Sequence, residues 1–355
     1  MSTYRRDRSY RYNYEHGPRF RGPFPTVPRV PEKDFFGFRV PSRVGIAAGL
    51  LLNSAWVECY AKLGFDILTY KTVRTVARRS HPMPNWLLVD APGGLDVRED
   101  QVLRVRKDRP RASDPSSWTS AVCFGMPSMS PDVWRRDVAR ARKKLGSGQI
   151  LIVSVVGTPS RGGGEDELVE DYRRAARWAA EAGAHIVEAN LSCPNVCTAE
   201  GTIYHDAKLV RVLAIALRDA LPSTPLFVKV GHLGSERAAR SLYEALDGKV
   251  DAAVLVNGIA RRVVQGDGRP AFGRFDRVGI LGAAIHSAAV ADVRRAITVT
   301  EAGGLRVGTV AVGGVTTAGD PGAFFRARAR GVLLGSAPAF DPLLAVRMKA
   351  DHPDW

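Results

Sequence analysis

ILIVSVVGTPSRGGGEDELVEDYRRAARWAAEAGAHIVEANLSCPN, residues 150–195, alternates two apolar runs with one amphipathic stretch. The β-branched run Ile150–Val156 predicts a buried strand, and the apolar run His185–Glu188 predicts a second strand. Between them, Glu165–Ala182 has the periodicity of an amphipathic helix. A strand, a helix and a strand at this spacing form a unit whose two strands run parallel. The stretch therefore predicts an α/β fold with a parallel sheet.

The same alternation continues along the chain in both directions. Further strands are predicted at Val44–Ala48, Asp66–Tyr70, Leu226–Val230, Ala252–Val256, Val310–Val312 and Val332–Leu334. Further helices are predicted at Ser54–Leu63, Asp132–Leu145, Asp206–Leu221, Ser235–Leu246, Ala283–Thr298, Pro321–Ala329 and Pro342–Lys349. Roughly eight such units predict a closed (β/α)8 TIM barrel rather than an open sheet. The first strand is not followed by Gly-x-Gly-x-x-Gly, which further disfavours a dinucleotide-binding fold.

Two segments differ from this pattern. Residues 1–38 form a basic, Tyr- and Pro-rich N-terminal extension, and residues 39–355 form the barrel, with an insertion at about 97–119. The extension has no sustained periodicity, so we expect a tail that is disordered or lies over the barrel or a partner subunit. An RNA-binding arm of arginines and tyrosines is the alternative. The polar, Pro-containing insertion is typical of a lid.

The composition limits the classes of protein. The chain has 355 residues, 45% of them hydrophobic, and can bury a core without disulfides. Four cysteines are too few for a disulfide scaffold, and the sequence has neither a signal-peptide pattern nor an apolar run of membrane-spanning length. The net charge of +15 permits nucleic acid, membrane or an anionic substrate as partner, but alone it identifies no site. We therefore expect a cytoplasmic enzyme.

Residues at the carboxyl ends of the strands are candidates for function, because barrel active sites form there. The small residues Ala47-Ala48-Gly49 let a planar ring approach the backbone. Lys71-Thr72 follows the second strand, where the lysine can meet an anionic ligand. Later strands end in Asn190, Lys229 and Asn257.

The last two predicted strands are followed by glycine-containing turns, Gly313-Gly314 and Gly335-Ser336. Barrels commonly bind phosphate at this place, through backbone N–H groups and a helix N-terminus. Each turn alone is weak evidence because tight turns need glycine in any case. Together they favour a phosphate-bearing ligand.

Cys193 differs from the other cysteines, Cys59, Cys123 and Cys197, in its setting. It follows a strand and precedes a proline, so it is biased to an extended conformation outside a helix. A thiol at a barrel mouth can transfer protons, whereas most cysteines are packing residues. A metal site with Cys197 is disfavoured because no matching second pair is present.

These residues, taken together, resemble one known family. Asn190-Leu191-Ser192-Cys193-Pro194-Asn195 is similar to the active-site loop of dihydroorotate dehydrogenases. Other segments resemble the family in the same order: Val44–Gly49, Lys71-Thr72, Pro92-Gly93-Gly94, Val228-Lys229-Val230, Val256-Asn257-Gly258, Gly279–Gly282, Val312–Val315 and Leu334–Ser336. The resemblance extends from about Val40 to Phe340.

The resemblance implies FMN as cofactor and assigns roles to residues. FMN would be bound by Ala47, Ala48, Gly49, Lys71, Thr72, Asn190, Lys229, Asn257, Gly282, Gly313, Gly314, Gly335 and Ser336. The substrate would be bound by Lys71, Asn190, Asn195, Asn257 and Gly125. Cys193 would be the acid/base, as in the soluble branch of the family, whereas the membrane-associated branch uses serine. The implied reaction interconverts a C–C single and double bond, with hydride passing to flavin N5 and a proton to Cys193.

The implied partners are a small-molecule substrate and a separate electron donor or acceptor that no motif identifies. We expect neither a membrane nor a nucleic acid partner, and a homodimer stays open. The sequence departs from the family at Val122, where the family usually has an asparagine, and this favours a related ring or amide-like substrate over dihydroorotate.

Two alternatives belong to other functional classes. One is a flavin-dependent reductase of RNA uridine, similar to dihydrouridine synthases and favoured by the positive charge. The other is a non-catalytic barrel that acts as a partner subunit. Binding of tRNA that depends steeply on salt would support the first.

Overall fold

The computed structural model describes residues 2–107, 110–111, 113–160, 162–192 and 203–355. At the centre of this part of the chain is a closed barrel of eight parallel strands. In chain order they are β1 (Val44–Leu51), β2 (Ile67–Val73), β3 (Ile150–Val155), β4 (Ile186–Asn190), β5 (Leu226–Lys229), β6 (Ala252–Leu255), β7 (Gly308–Val312) and β8 (Gly331–Leu334). Each strand pairs with its neighbours in this order, and β8 closes the barrel on β1. The predicted TIM barrel is therefore confirmed.

Helices follow the strands and cover the outside of the barrel. The longer ones are Ser54–Lys62, Pro131–Lys143, Glu165–Glu181, Ala207–Ala220, Glu236–Leu246, His286–Gly303, Pro321–Arg326 and Leu344–Asp351. Shorter helical segments are Pro115–Trp118, Ile203–His205, Ala283–Ile285 and Ala337–Phe340. The first of the longer helices begins where the sequence predicts, because the Asn53 side chain accepts hydrogen bonds from the N–H groups of Ala55 and Trp56.

The barrel interior is apolar near the amino ends of the strands. Ile67, Ile152, Ile186 and Phe227 are fully buried there. A hairpin of two short strands, Lys33–Phe35 and Phe38–Val40, closes this end by placing Phe35 and Phe36 against Phe227. Polar side chains lie instead at the opposite end of the barrel, where the carboxyl ends of the strands meet.

A second, smaller closed barrel has five strands. They are Trp86–Asp90, Val102–Val105, Ser120–Val122, Ile259–Val264 and Arg277–Leu281. Most of its pairs are antiparallel, and they join the segment after β2 to the segment after β6. Part of the predicted insertion at 97–119 thus belongs to this barrel, because the strand Val102–Val105 is hydrogen-bonded on both sides, and the lid role stays a prediction.

The N-terminal extension is more ordered than its sequence predicts. It contains a helix, Tyr10–His16, that begins at a Ser9 cap, and the side chains of Tyr4 and Tyr10 are buried. Of the expected arrangements, the tail that lies over the barrel is confirmed by the hydrogen bond from the Thr3 N–H to the Ala339 carbonyl, and the short helix is an addition that the sequence did not predict. Tyr4 and Tyr10 are buried and cannot stack on bases, which weakens the RNA-arm interpretation, whereas Tyr12 and Tyr14 are partly exposed.

No helix in the described ranges is long and apolar enough to span a bilayer.

Candidate active site

The carboxyl ends of four strands share one hydrogen-bonded network. The Thr72 hydroxyl lies 3.0 Å from the Ser154 hydroxyl, and the Asn190 side-chain amide donates to Thr72 Oγ1 at 3.4 Å. Ser192 donates through its hydroxyl to Asn190 Oδ1 at 2.7 Å, and Asn257 donates to Ser192 Oγ at 2.7 Å. The structure thus brings together three residues that the sequence singles out, Thr72, Asn190 and Asn257.

Asn190 is the centre of this network, and its orientation is set from both sides. Its Oδ1 also accepts from the Ser192 N–H at 3.1 Å, while its amide additionally faces Met126 Sδ at 3.5 Å. Its backbone carbonyl accepts from the Tyr172 hydroxyl at 2.7 Å. The side chain is 3% exposed, so its remaining hydrogen-bonding capacity is directed inward.

Lys71 is a buried cation without a carboxylate partner among the described residues. Its Nζ donates to the Pro127 carbonyl and lies 4.8 Å from the centre of the Tyr10 ring. Burial, with a smaller contribution from the nearby Arg74, lowers the pKa of Lys71 to about 7. A lysine held in this way can bind an anionic group, because the charged form then gains the partner it lacks.

Replacing Lys71 should have two effects. It should stabilise the apoprotein, and it should weaken the binding of an anionic ligand. The pKa of Lys71 lies below its usual value of 10.5, so its charge opposes folding most strongly below pH 7 and less as pH rises toward 10. We expect Lys71→Met to stabilise the apoprotein by about 2–4 kcal/mol at pH 7 and by much less at pH 10. Urea unfolding at both pH values measures this, with the exposed Lys62→Met as control; equal effects of the two variants would contradict it.

Below the network, the barrel contains a buried ion pair. Lys229 Nζ lies 3.0 Å from Glu188 Oε1, and the two side chains are 1% and 0% exposed. Glu188 precedes Asn190 by two residues on β4, so both side chains project to the same side of the strand. The pair fixes Lys229 in the barrel interior close to Asn190, since β4 and β5 are neighbours with Asn190 opposite Lys229.

The segment after the accessory strand Ser120–Val122 contributes to the same region. Gly125 has a φ of +73°, and a Cβ there would lie 2.3 Å from His81 Nε2, so only glycine fits. The next residues, Met126 and Pro127, contact Asn190 and Lys71.

Val122, by contrast, lies in the accessory barrel. It pairs there with Gly279 and Trp86, and it packs against the hydrophobic core. It is therefore a packing residue, and the contacts to Asn190 and Lys71 come from a few residues further along the chain.

The glycines after the last strands form a crowded turn beside a helix N-terminus. Gly314 has a φ of +75°, and a Cβ there would lie 2.5 Å from the backbone of His286, the first residue of the helix His286–Gly303. Gly313 is similarly close to Ala289, and Gly282 to the Trp118 carbonyl. At Gly335 and Gly49, however, a Cβ would meet no atom within 4 Å, so the backbone at the ends of β8 and β1 borders open space.

Gly314 should be indispensable for this turn. We expect Gly314→Ala to destabilise the protein by about 2–4 kcal/mol, because it forces both a steric clash and a left-handed backbone on a residue with a Cβ. Gly319→Ala is the matched control, since a Cβ there meets nothing within 4 Å. Denaturant unfolding of the two variants measures the difference, and equal stability would contradict the assignment.

Ala47 and Ala48 lie on β1 as predicted, and Ser336 is buried after β8. Cys193 and Asn195 lie outside the described residues, and so does Cys197. The sequence analysis missed three residues of the site: Glu188, Ser154 and Ser192. Glu188 left a signal, because it is the one charged residue in the apolar run Ile186–Asn190. The two serines left none, since serine is common after and within strands.

An α/β barrel with buried polar and cationic side chains at its strand ends defines an enzyme scaffold, and comparison with known proteins narrows the class. Residues 105–351 match the family model for dihydroorotate dehydrogenase. The dihydroorotate dehydrogenase of Dictyostelium discoideum is 32% identical over 96% of this chain and 95% of its own length. A dihydroorotate dehydrogenase (quinone) of Mycobacterium ulcerans is 26% identical over 83% of this chain and 71% of its own.

The crystal structure of the Eimeria tenella enzyme DHODH in complex with ferulenol superposes with a TM-score of 0.69, covering 90% of this chain and 82% of that one at 18% identity, which supports the fold. The chain belongs to the dihydroorotate dehydrogenase family. Members of this family are flavin-dependent oxidoreductases that act on CH–CH bonds.

Proposed function

We propose that this protein is an FMN-dependent dehydrogenase that oxidises dihydroorotate or a closely related cyclic amide, with Cys193 as the base. The observation that carries the proposal is the network of Thr72, Asn190, Ser192 and Asn257 next to the buried cation Lys71. Amide side chains suit the lactam edges of a pyrimidine ring, and an unpaired lysine suits a carboxylate.

The residues fit FMN as the cofactor. Open space at Gly49 and Gly335 leaves room for a planar ring and for a phosphate, and Gly314 lies directly against the helix that begins at His286. His286 Nδ1 is buried without a hydrogen-bond partner among the described residues, so a polar atom beside Gly314 is available to a ligand. When bound, FMN supplies the acceptor for the hydride.

Substrate binding, orientation and proton transfer depend on residues of the protein itself. Lys71 holds the anionic group of the substrate, while Asn190 and Asn257 orient its ring through fixed amides. Cys193 takes the proton from the carbon next to the one that loses hydride. Lys229, fixed by Glu188 in the barrel interior beside Asn190, would hold the bound FMN and would favour negative charge on it.

Dihydroorotate is the first substrate to test. Membership of the family favours it, while Val122, which packs in the accessory barrel and offers no polar group, keeps a related ring as the alternative substrate. We further propose a separate electron acceptor, since relatives named for quinone and for NAD(+) are both present among the similar proteins.

Flavin identity and substrate range test this proposal together. The purified protein should be yellow and release one FMN per chain on denaturation. With a dye as electron acceptor, dihydroorotate should support turnover, and dihydrouracil, which lacks the carboxylate, should be far slower. A colourless protein that does not bind added FMN would refute the cofactor; preference for dihydrouracil or for uridine in RNA would refute the substrate.

A further inference from the structure

The N-terminal arm, residues 2–17, is fastened to the rim of the barrel at two neighbouring strand ends. The Thr3 N–H donates to the Ala339 carbonyl at 2.8 Å, in the segment that follows β8. The Asn53 amide, just after β1, donates to the Tyr14 carbonyl at 2.7 Å, and Trp56 Nε1 donates to the Asn13 carbonyl at 3.2 Å. The arm therefore lies against the barrel rim beside the segments that follow β8 and β1.

Hydrogen bonds within the arm also fix its helix, and they thereby fix the position of Tyr10. The Asn13 amide donates to the carbonyls of Arg5 and Ser9, and Asn13 Oδ1 accepts from the Arg5 N–H. Tyr10 is 7% exposed, and its ring packs edge-on against Phe124. Burial keeps the pKa of the Tyr10 phenol well above its usual value of 10, so this ring is neutral at physiological pH.

The face of that ring meets Lys71. The ammonium lies 4.8 Å from the ring centre, within the range of a cation–π interaction. Arg74, which directly follows β2, is a charged group whose proximity opposes the charge of Lys71. No ion pair joins Lys71 to a carboxylate of the described residues, and Asp137, which binds the neighbouring Tyr70, is also committed to the backbone and hydroxyl of Ser54. Tyr10 is thus the group among the described residues that favours a charged Lys71 besides the Pro127 carbonyl.

We propose that the N-terminal arm is part of the active site and that Tyr10 is a positioning residue that holds Lys71 in place and in its charged form. The proposal rests on the proposed function in so far as Lys71 binds the anionic group of the substrate. It assigns a role in catalysis to a segment whose sequence predicts only a tail.

Titration of Lys71 itself tests the proposal without any ligand. Lysines labelled with ¹³C at Cε are followed by NMR from pH 5 to 10, and the Lys71 signal is identified by its loss in Lys71→Gln. Tyr10→Leu removes the ring, and Tyr10→Phe keeps it. Tyr12→Leu is the matched control, because Tyr12 lies on the same helix but stacks on His16.

We expect the pKa of Lys71 to fall by about half a unit to one unit in Tyr10→Leu and to stay unchanged in Tyr10→Phe and Tyr12→Leu. Orotate affinity at pH 7 should weaken about 2- to 5-fold in Tyr10→Leu and stay unchanged in the other two variants, because the charged fraction of Lys71 falls by that factor. An unchanged or raised Lys71 pKa in Tyr10→Leu, or an equal shift in Tyr12→Leu, would overturn the proposal. If the pKa shift occurs but the wild-type protein does not bind orotate, the inference about Tyr10 stands and the proposed function fails.

Discussion

Replacing Cys193 by alanine should leave FMN bound and slow the reduction of the flavin by dihydroorotate about 10²- to 10⁴-fold, the usual loss when a general base is removed. The expectation depends on the loop Asn190–Asn195, in which Asn190 and Ser192 belong to the network described above. Because the thiol makes no contribution to phosphate binding in this mechanism, the affinity for FMN should not change. Anaerobic stopped-flow absorbance of the bound flavin measures the rate, and FMN fluorescence titration measures the affinity.

The two cysteines within the described residues, Cys59 and Cys123, provide matched controls. Burial raises the pKa of both the Cys59 and the Cys123 thiol to about 11, so neither can accept a proton as a thiolate at neutral pH. In Cys59→Ala and Cys123→Ala, dihydroorotate should therefore reduce the bound flavin at the wild-type rate. Cys193→Ser, which keeps a weaker base, should fall between wild type and Cys193→Ala. Unchanged reduction in Cys193→Ala would remove this residue from the mechanism.

Replacing Lys229 by methionine should destabilise the protein by about 3–5 kcal/mol, because it leaves the Glu188 carboxylate buried without its partner. Both side chains are essentially inaccessible to water, so solvent cannot compensate for the lost charge. The same variant should bind FMN more weakly, since the positive charge beneath the mouth is gone. Urea unfolding and FMN titration measure the two effects.

A double variant separates the charge from the packing. Glu188→Gln combined with Lys229→Met removes both charges, and we expect it to recover at least half of the stability lost by Lys229→Met alone. Glu236→Gln, which breaks the exposed pair with Arg240, should change stability by less than about 0.5 kcal/mol. A Lys229→Met protein as stable as the wild type would show that the pair does not hold the barrel interior together.

The barrel could be read from the sequence because its signals are local. β-branched runs such as Ile150–Val155 and long amphipathic stretches such as Glu165–Glu181 report their own conformation, and the sequence predicts both to within a residue at each end. The strand-end rule then selects Thr72, Asn190 and Asn257, which the structure joins through Ser192. Their roles toward FMN and substrate stay predictions.

The parts that could not be predicted depend on contacts between distant segments. The strands of the accessory barrel have three to six residues, and Val122 pairs with Gly279 across much of the chain. The arm helix has seven residues, too few to be stable without Trp56, Asn53 and the barrel rim to hold it. Likewise, the ion pair of Glu188 with Lys229 exists only once β4 and β5 are neighbours.

The most direct test of the central claim is to mix the FMN-loaded wild-type protein anaerobically with dihydroorotate and record the visible absorbance of the flavin. Rapid and complete loss of this absorbance, with one orotate formed per flavin and no dependence on added RNA, is the predicted result. A flavin that stays oxidised while the protein binds dihydroorotate would contradict the account.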